Sequence, residues 1–258
     1  MTAEVIAELP MYPAPAAVGA AYEQWLRRTL QLLDIDEHTP WKGSLEALWL
    51  HPHLLLAQTC GFPLITQLKE QVRVVGHPCF DLPHAQNGQH CSVLVVRADD
   101  PRELLAEYFD CRAAYNSLDS NSGMNLLRHA LIPHVRQGRF FASAQATGSH
   151  RESIAQVARG EADVAAIDSV TFAYLTRYAP HEVAGVRVLG RTASSPTLPY
   201  ITALQGPDPQ VLRAAMNGAL QALPEVALTL GVVAVREAEL GDYGVLLRYR
   251  DEALGVVI

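Results

Sequence analysis

The sequence has no run of lysine or arginine: its 20 basic residues are scattered among 27 acidic ones, for a formal net charge of −7. Binding a nucleic-acid backbone needs concentrated positive charge, so no nucleic-acid partner is expected. No apolar stretch approaches the roughly 18 residues that a membrane helix needs, so no membrane span is expected. The opening Met1-Thr2-Ala3-Glu4-Val5-Ile6 shows no basic segment leading into an apolar one. As written, the sequence therefore predicts a cytoplasmic protein, or a periplasmic one if a leader has been removed. Cys60, Cys79, Cys91 and Cys111 form no C-x-x-C pair. They read as small buried hydrophobes in a reducing compartment, with a Cys79–Cys91 bridge as the lesser alternative. Also missing are G-x-x-x-x-G-K-[ST], G-x-G-x-x-G, H-E-x-x-H and G-x-S-x-G. No nucleotide, dinucleotide, zinc-hydrolase or nucleophile-elbow site is indicated, and no cofactor, metal or catalytic residue is expected.

What is present is an ordinary globular composition, 49% hydrophobic and 18% charged over 258 residues, enough for one large core or two modest ones. Short β-like runs alternate with helical patterns nearly throughout, which predicts an α/β fold with mainly parallel sheets and helices on both faces. Residues 4–9 read as a first strand. Val18, Tyr22, Trp25, Leu26 and Leu30 then form the stripe of an amphipathic helix. Leu54-Leu55-Leu56-Ala57 and residues 72–76 read as buried strands, and 81–89 as a polar loop. Strands follow at 91–96, 112–116, 140–146 and 162–167, the last three each leading into a helix. These make three consecutive βα units. Strands at 186–189 and 200–203, a helix bearing Leu212, Ala215, Ala219 and Leu223, and a terminal helix over 242–255 complete the chain. The expected organisation is a discontinuous lobe of residues 1–95 and 190–258, with residues 96–189 inserted. Two crossing strands near 93–97 and 188–192 would join them.

The candidate chemistry lies in two polar strand-to-helix turns, Asp119-Ser120-Asn121-Ser122-Gly123 and Thr147-Gly148-Ser149-His150. In a parallel sheet such junctions lie at the carboxyl edge, where open α/β folds bind ligands. A helix start offers free N–H groups and about half a positive charge, so two of them can hold one tetrahedral anion without a lysine or arginine. Ser120, Ser122 and Ser149 have an equally simple role as helix N-caps. Asp168 ends the third strand and is either another cap or the acceptor for a proton carried by the anion. His150 is either an anion donor or an exposed first-turn residue. The histidines of the stretch His77-Pro78-Cys79, His84 and His90-Cys91 match no standard zinc spacing, and with the pair His51 and His53 they read as structural. Arg128, Arg139 and Arg151 add positive field, but nothing in the sequence aims them at these turns.

These turns, with the segments Leu55-Leu56-Ala57-Gln58-Thr59-Cys60-Gly61-Phe62-Pro63-Leu64 and Ala162-Asp163-Val164-Ala165-Ala166-Ile167-Asp168, resemble the phosphonate/phosphite/phosphate substrate-binding proteins of ABC transporters. The similarity runs over roughly residues 5–205. It implies a two-lobed, type 2 periplasmic-binding-protein-like fold with two hinge strands that closes on a small oxyanion. It also implies that Ser120, Asn121, Ser122 and Gly123 hold the phosphonyl oxygens, with Thr147, Ser149 and His150 on the anion and Asp168 accepting from a protonated oxygen. Tyr12 and Thr59, from the other lobe, would close over the ligand. The implied partners are an ABC permease or an intracellular signalling protein. The alternative in the same fold is a cytosolic enzyme of the menaquinone- or thiamine-pathway type.

Overall fold

The computed structural model describes residues 5–35, 38 and 40–258. The opening four residues, on which the leader question turns, lie outside the described residues. The chain divides into two compact units. An outer unit holds the chain up to Gln89 together with Pro196–Tyr243, and an inserted unit holds His90–Ser195 together with Gly244–Ile258.

In the outer unit the strands Ile6–Glu8, Leu54–Gln58, Tyr200–Ala203 and Val72–Leu82 lie side by side in that order, and Val232–Arg236 pairs with the distal half of Val72–Leu82. Only the first pair is parallel; the others are antiparallel. The helix Ala16–Gln31 buries the stripe that its spacing predicts, and Trp25 Nε1 donates to the Met216 carbonyl on the helix Pro209–Ala222 at 2.9 Å. The stretch 81–89 departs from the loop expectation. Val72–Leu82 continues two residues into it, and Ala85–Gln86 pairs back on Asp81 and Leu82. Polar residues can occupy paired strands, so polarity alone misses such a tight reversal.

The inserted unit carries a five-stranded sheet in the order Val186–Arg191, Ser92–Arg97, Val164–Asp168, Arg112–Tyr115, Ser143–Ala146. The last three strands are parallel, and each is the strand of one predicted βα unit. Ser92–Arg97 runs antiparallel to both of its neighbours. Alternate residues of each strand feed opposite cores. Val93, Val95, Ala114, Ala165 and Ile167 pack with Ile154, Val157 and Leu175. Leu94, Val96, Ala113, Val164 and Ala166 pack with Leu127, Leu131, Phe140 and Tyr108. A sheet covered on both faces explains the unbroken apolar runs seen in the sequence.

The C-terminal segment departs from the expected organisation. Residues 244–258 belong to the inserted unit, not to the outer one. Ala253 and Val256 complete its second core, and Arg128 donates to the carbonyls of both residues at 3.0 and 3.1 Å. The passages between units also differ. They fall at Gln89/His90 and Ser195/Pro196, with a third at Tyr243/Gly244. The strands expected to cross instead pair with each other inside the inserted unit.

Candidate functional site

The three parallel strands end at Tyr115, Ala146 and Asp168, and the segments beyond them start helical turns at Asn121, His150 and Ser169. Each turn is capped by the residue before it. Ser120 Oγ accepts from the Gly123 N–H at 3.0 Å, Ser149 Oγ from the Glu152 N–H at 3.1 Å, and Asp168 Oδ1 from the Thr171 N–H at 2.9 Å. The simpler of the two roles is thus filled for all three. A capping serine spends a lone pair, however, and keeps its own O–H available for an anion.

Ser122 is different. Its Oγ lies 3.1 Å from His150 Nε2, so the second and first turns meet through these side chains. Its carbonyl accepts from Ser92 Oγ at 2.7 Å, which ties the turn to the neighbouring strand. Asn121 is spent on structure: Nδ2 donates to Ser195 Oγ at 2.9 Å, and Oδ1 accepts from Asn125 at 3.1 Å. Gly123 is required by a close approach, because a Cβ there would stand 1.8 Å from Asn116 Oδ1. Gly148 has φ +85°, a left-handed conformation that glycine adopts without cost. The Thr147 hydroxyl is occupied locally by the carbonyls of Tyr115 and Ser149 and by Ser153 Oγ. Of the residues expected from the other lobe, Tyr12 is buried in the outer unit, stacked on Tyr22 and edge-on to Phe80. Thr59 is buried there too, its N–H donating to the Pro199 carbonyl.

Asp168 is 2% exposed, and its Oδ2 accepts from His90 Nδ1 at 2.8 Å. Burial pushes the carboxyl pKa up, but the charge and hydrogen bond of His90, the nearby His150 and the Thr171 N–H outweigh it. Asp168 is held below the usual carboxylate range. Burial lowers the His150 pKa, against an opposing pull from the Asp168 carboxylate and with a further push from His90. The three arginines that might have supplied positive field are engaged elsewhere. Arg128 holds the C-terminal carbonyls, Arg139 pairs with Asp110, and Arg151 with Glu182. What the turns themselves present is N–H groups, hydroxyls and imidazoles.

Sequence reasoning read His90 as structural and assigned no site role to Ser92, Ser195 or Asn116. His90 lies 78 residues from Asp168 and meets it because Ser92 pairs with Asp168 across the antiparallel strands. A signal was present only in the position of His90 at the start of a strong strand. Among the described residues, no group of three or more His, Cys, Asp or Glu side chains is placed to hold a metal ion. No disulfide joins the four cysteines, and no described helix is long and apolar enough to cross a membrane.

A sequence profile for the ABC transporter, phosphonate, periplasmic substrate-binding protein family matches residues 69–239. Comparison with curated proteins finds no match. Among solved structures, the binding-protein component of an ABC phosphonate transporter from Pseudomonas aeruginosa is similar, with TM-score 0.77 and 12% identity over 97% of this chain and 87% of that one. PhnD1 from Prochlorococcus marinus, solved in complex with methylphosphonate, gives TM-score 0.71 and 14% identity over 98% of each chain. A Xanthomonas citri protein solved bound to ATP gives TM-score 0.65 and 16% identity over 97% of this chain and 96% of that one. At these identities the structures establish the fold, that of the periplasmic substrate-binding proteins. The family is one of transporter substrate-binding proteins, which bind small ligands and work with ABC permeases, and it is not an enzyme family. The chain belongs to the periplasmic phosphonate substrate-binding protein family of ABC transporters.

Proposed function

We propose that this chain binds a small phosphonate-, phosphite- or phosphate-like oxyanion in the periplasm, for uptake through an ABC permease or for sensing through a signalling partner. The observation that carries the proposal is the Ser122–His150 contact beside the buried, low-pKa carboxyl of Asp168, at the edge where three helical turns begin. The O–H groups of Ser120, Ser122 and Ser149 and the ring of His150 supply donors. Asp168 supplies the acceptor that an anion with a P–OH can use and that a fully ionised one cannot. Hydrogen bonds to charged groups contribute on the order of 1.5–3 kcal/mol each. About four or five of them, less the cost of association, are compatible with micromolar binding at about −8 kcal/mol. The family match supports the choice of phosphorus over sulfur or carbon oxyanions. The roles of Tyr12 and Thr59 as ligand contacts rest on family resemblance alone, and loss of affinity in Tyr12→Phe and Thr59→Ala is their test.

The experiment is calorimetric titration of the purified protein with methylphosphonate, phosphite, phosphate, 2-aminoethylphosphonate and sulfate at pH 6 and pH 8. Selective binding of one or more phosphorus oxyanions supports the proposal. Equal or preferential binding of sulfate, or binding of none, overturns it.

A further inference from the structure

Two buried asparagines in and just after the serine-rich turn, Asn121 and Asn125, supply no donor to the anion in the function proposed above. Their amides nevertheless form a continuous hydrogen-bonded chain. Asn125 Nδ2 donates to Asn121 Oδ1 and to the Leu246 carbonyl, each at 3.1 Å. Asn121 Nδ2 in turn donates to Ser195 Oγ at 2.9 Å. The backbone here is wound wider than an α-helix, the Asn125 N–H reaching back five residues to the Ser120 carbonyl at 3.1 Å. Single wide turns of this kind are frequent at functional sites.

The far ends of the chain of amides fall at particular places. Ser195 is the last residue of the inserted unit before the chain passes to Pro196, and Leu246 lies two residues beyond Gly244, where the chain enters that unit again. The remaining passage, Gln89/His90, is served by Ser92, whose Oγ donates to the Ser122 carbonyl at 2.7 Å. Ser92 is itself held to Thr192 by two bonds: its N–H donates to Thr192 Oγ1 at 2.9 Å, and its carbonyl accepts from the Thr192 N–H at 3.0 Å. The helical turn Asn121–Asn125 is thus hydrogen-bonded directly to all three segments by which the chain enters or leaves the inserted unit. Buried amides cost stability unless their bonds are made, so packing alone would be served as well by apolar side chains.

We propose that Asn121 and Asn125 are positioning residues, which fix the serine-rich turn against the ends of the inserted unit so that an oxyanion held there is registered at Ser195 and at Leu246. The inference rests on the oxyanion-binding function proposed above and gives neither asparagine a contact with the ligand. A turn fixed in advance leaves less to be ordered on binding. The same links carry a shift of the turn outward along two separable branches, one through Asn121 to Ser195 and one through Asn125 to Leu246.

The test is hydrogen exchange of the full chain, with and without saturating methylphosphonate or phosphate, for wild type, Ser195→Ala and Asn125→Leu. In wild type the anion is expected to slow exchange within residues 192–195 and 244–248 as well as in the turn. Ser195→Ala should abolish the response at 192–195 and spare that at 244–248, and Asn125→Leu should do the reverse. Calorimetric titration of the same variants should show affinity weakened by about three- to tenfold, as for lost neutral hydrogen bonds. A merely structural role gives another pattern: each variant raises exchange generally, and the response to the anion is either unchanged or lost at both segments together. That pattern overturns the proposal. Wild-type protein alone supplies a second test, which holds even where a variant fails to fold. If it binds an anion and responds only in the turn, the positioning role falls and the oxyanion site stands. If it binds neither probe, both fall.

Discussion

Ser122 Oγ and His150 Nε2 stand 3.1 Å apart although 28 residues separate them in sequence. The contact joins the starts of two consecutive βα units, and it uses the one serine of the first turn that is not consumed by capping. Ser120 and Ser149 accept from backbone N–H groups, while the side chains of Ser122 and His150 bond to each other.

Ser122→Ala removes that hydroxyl without touching a cap, and the Ser92 bond to the Ser122 carbonyl survives because it uses the backbone. Phosphonate affinity is expected to fall by about tenfold or more, as for a lost hydrogen bond to a charged group. The melting temperature of the unligated protein falls modestly, because His150 Nε2 loses its partner. Calorimetric titration beside a thermal melt reads both.

Acidification is expected to destabilise the unligated protein in two stages. His150 has a folded-state pKa below its ordinary 6.5, so the unfolded chain binds more protons once the pH drops to about that value. Its contribution is therefore complete above the ordinary imidazole range and is lost as pH falls through the depressed folded value. Asp168 is likewise held below its ordinary 3.8, so its contribution is lost further down, as pH falls through the still lower folded value. Melts recorded from pH 8 to pH 5 should fall less steeply for His150→Gln than for wild type. In melts carried on below pH 3.8, the gap between wild type and Asp168→Asn should narrow, since asparagine keeps the cap but not the charge.

Gly123→Ala is expected to destabilise the fold by about 1–3 kcal/mol, the usual result of forcing a methyl group into occupied space. The obstacle is the Asn116 Oδ1 atom, 1.8 Å from where the Cβ would lie. Shortening Asn116 to alanine in the same chain should restore part of the loss. Urea unfolding of the two single variants and the double variant measures this as non-additivity. Simple additivity would place the strain elsewhere.

Arg128→Ala is expected to lower stability by about 1–3 kcal/mol, because the carbonyls of Ala253 and Val256 lose a charged donor. The same variant should increase hydrogen exchange within residues 244–258 more than in the outer unit. A uniform increase across the chain would contradict the assignment of this segment to the inserted unit.

Much of the architecture could be read from local patterns. The stripe from Val18 to Leu30 became the helix Ala16–Gln31, and the helix expected after the strand at 162–167 is Ser169–Tyr178. Such patterns are legible because burial on one face or both imposes a period on a short stretch. The polar reversal at 83–84 was not legible, because strand pairing there depends on a partner and not on composition. The two serine turns were visible as helix starts, but their sequence could not separate Ser122 from Ser120 and Ser149, since all three are chemically alike.

By itself, then, the sequence determined an α/β chain with three βα units, their glycine- and serine-rich starts, and the absence of the charge or length needed for nucleic acid or a membrane helix. These follow from local composition and periodicity. Only the tertiary structure decided which hydroxyls are spent as caps, which unit receives residues 244–258, and that His90 meets Asp168. Each of those is set by the packing and register of segments far apart in the chain. An antiparallel pairing between Ser92 and Asp168 leaves no trace in either segment alone, yet it is what brings an imidazole against the carboxylate.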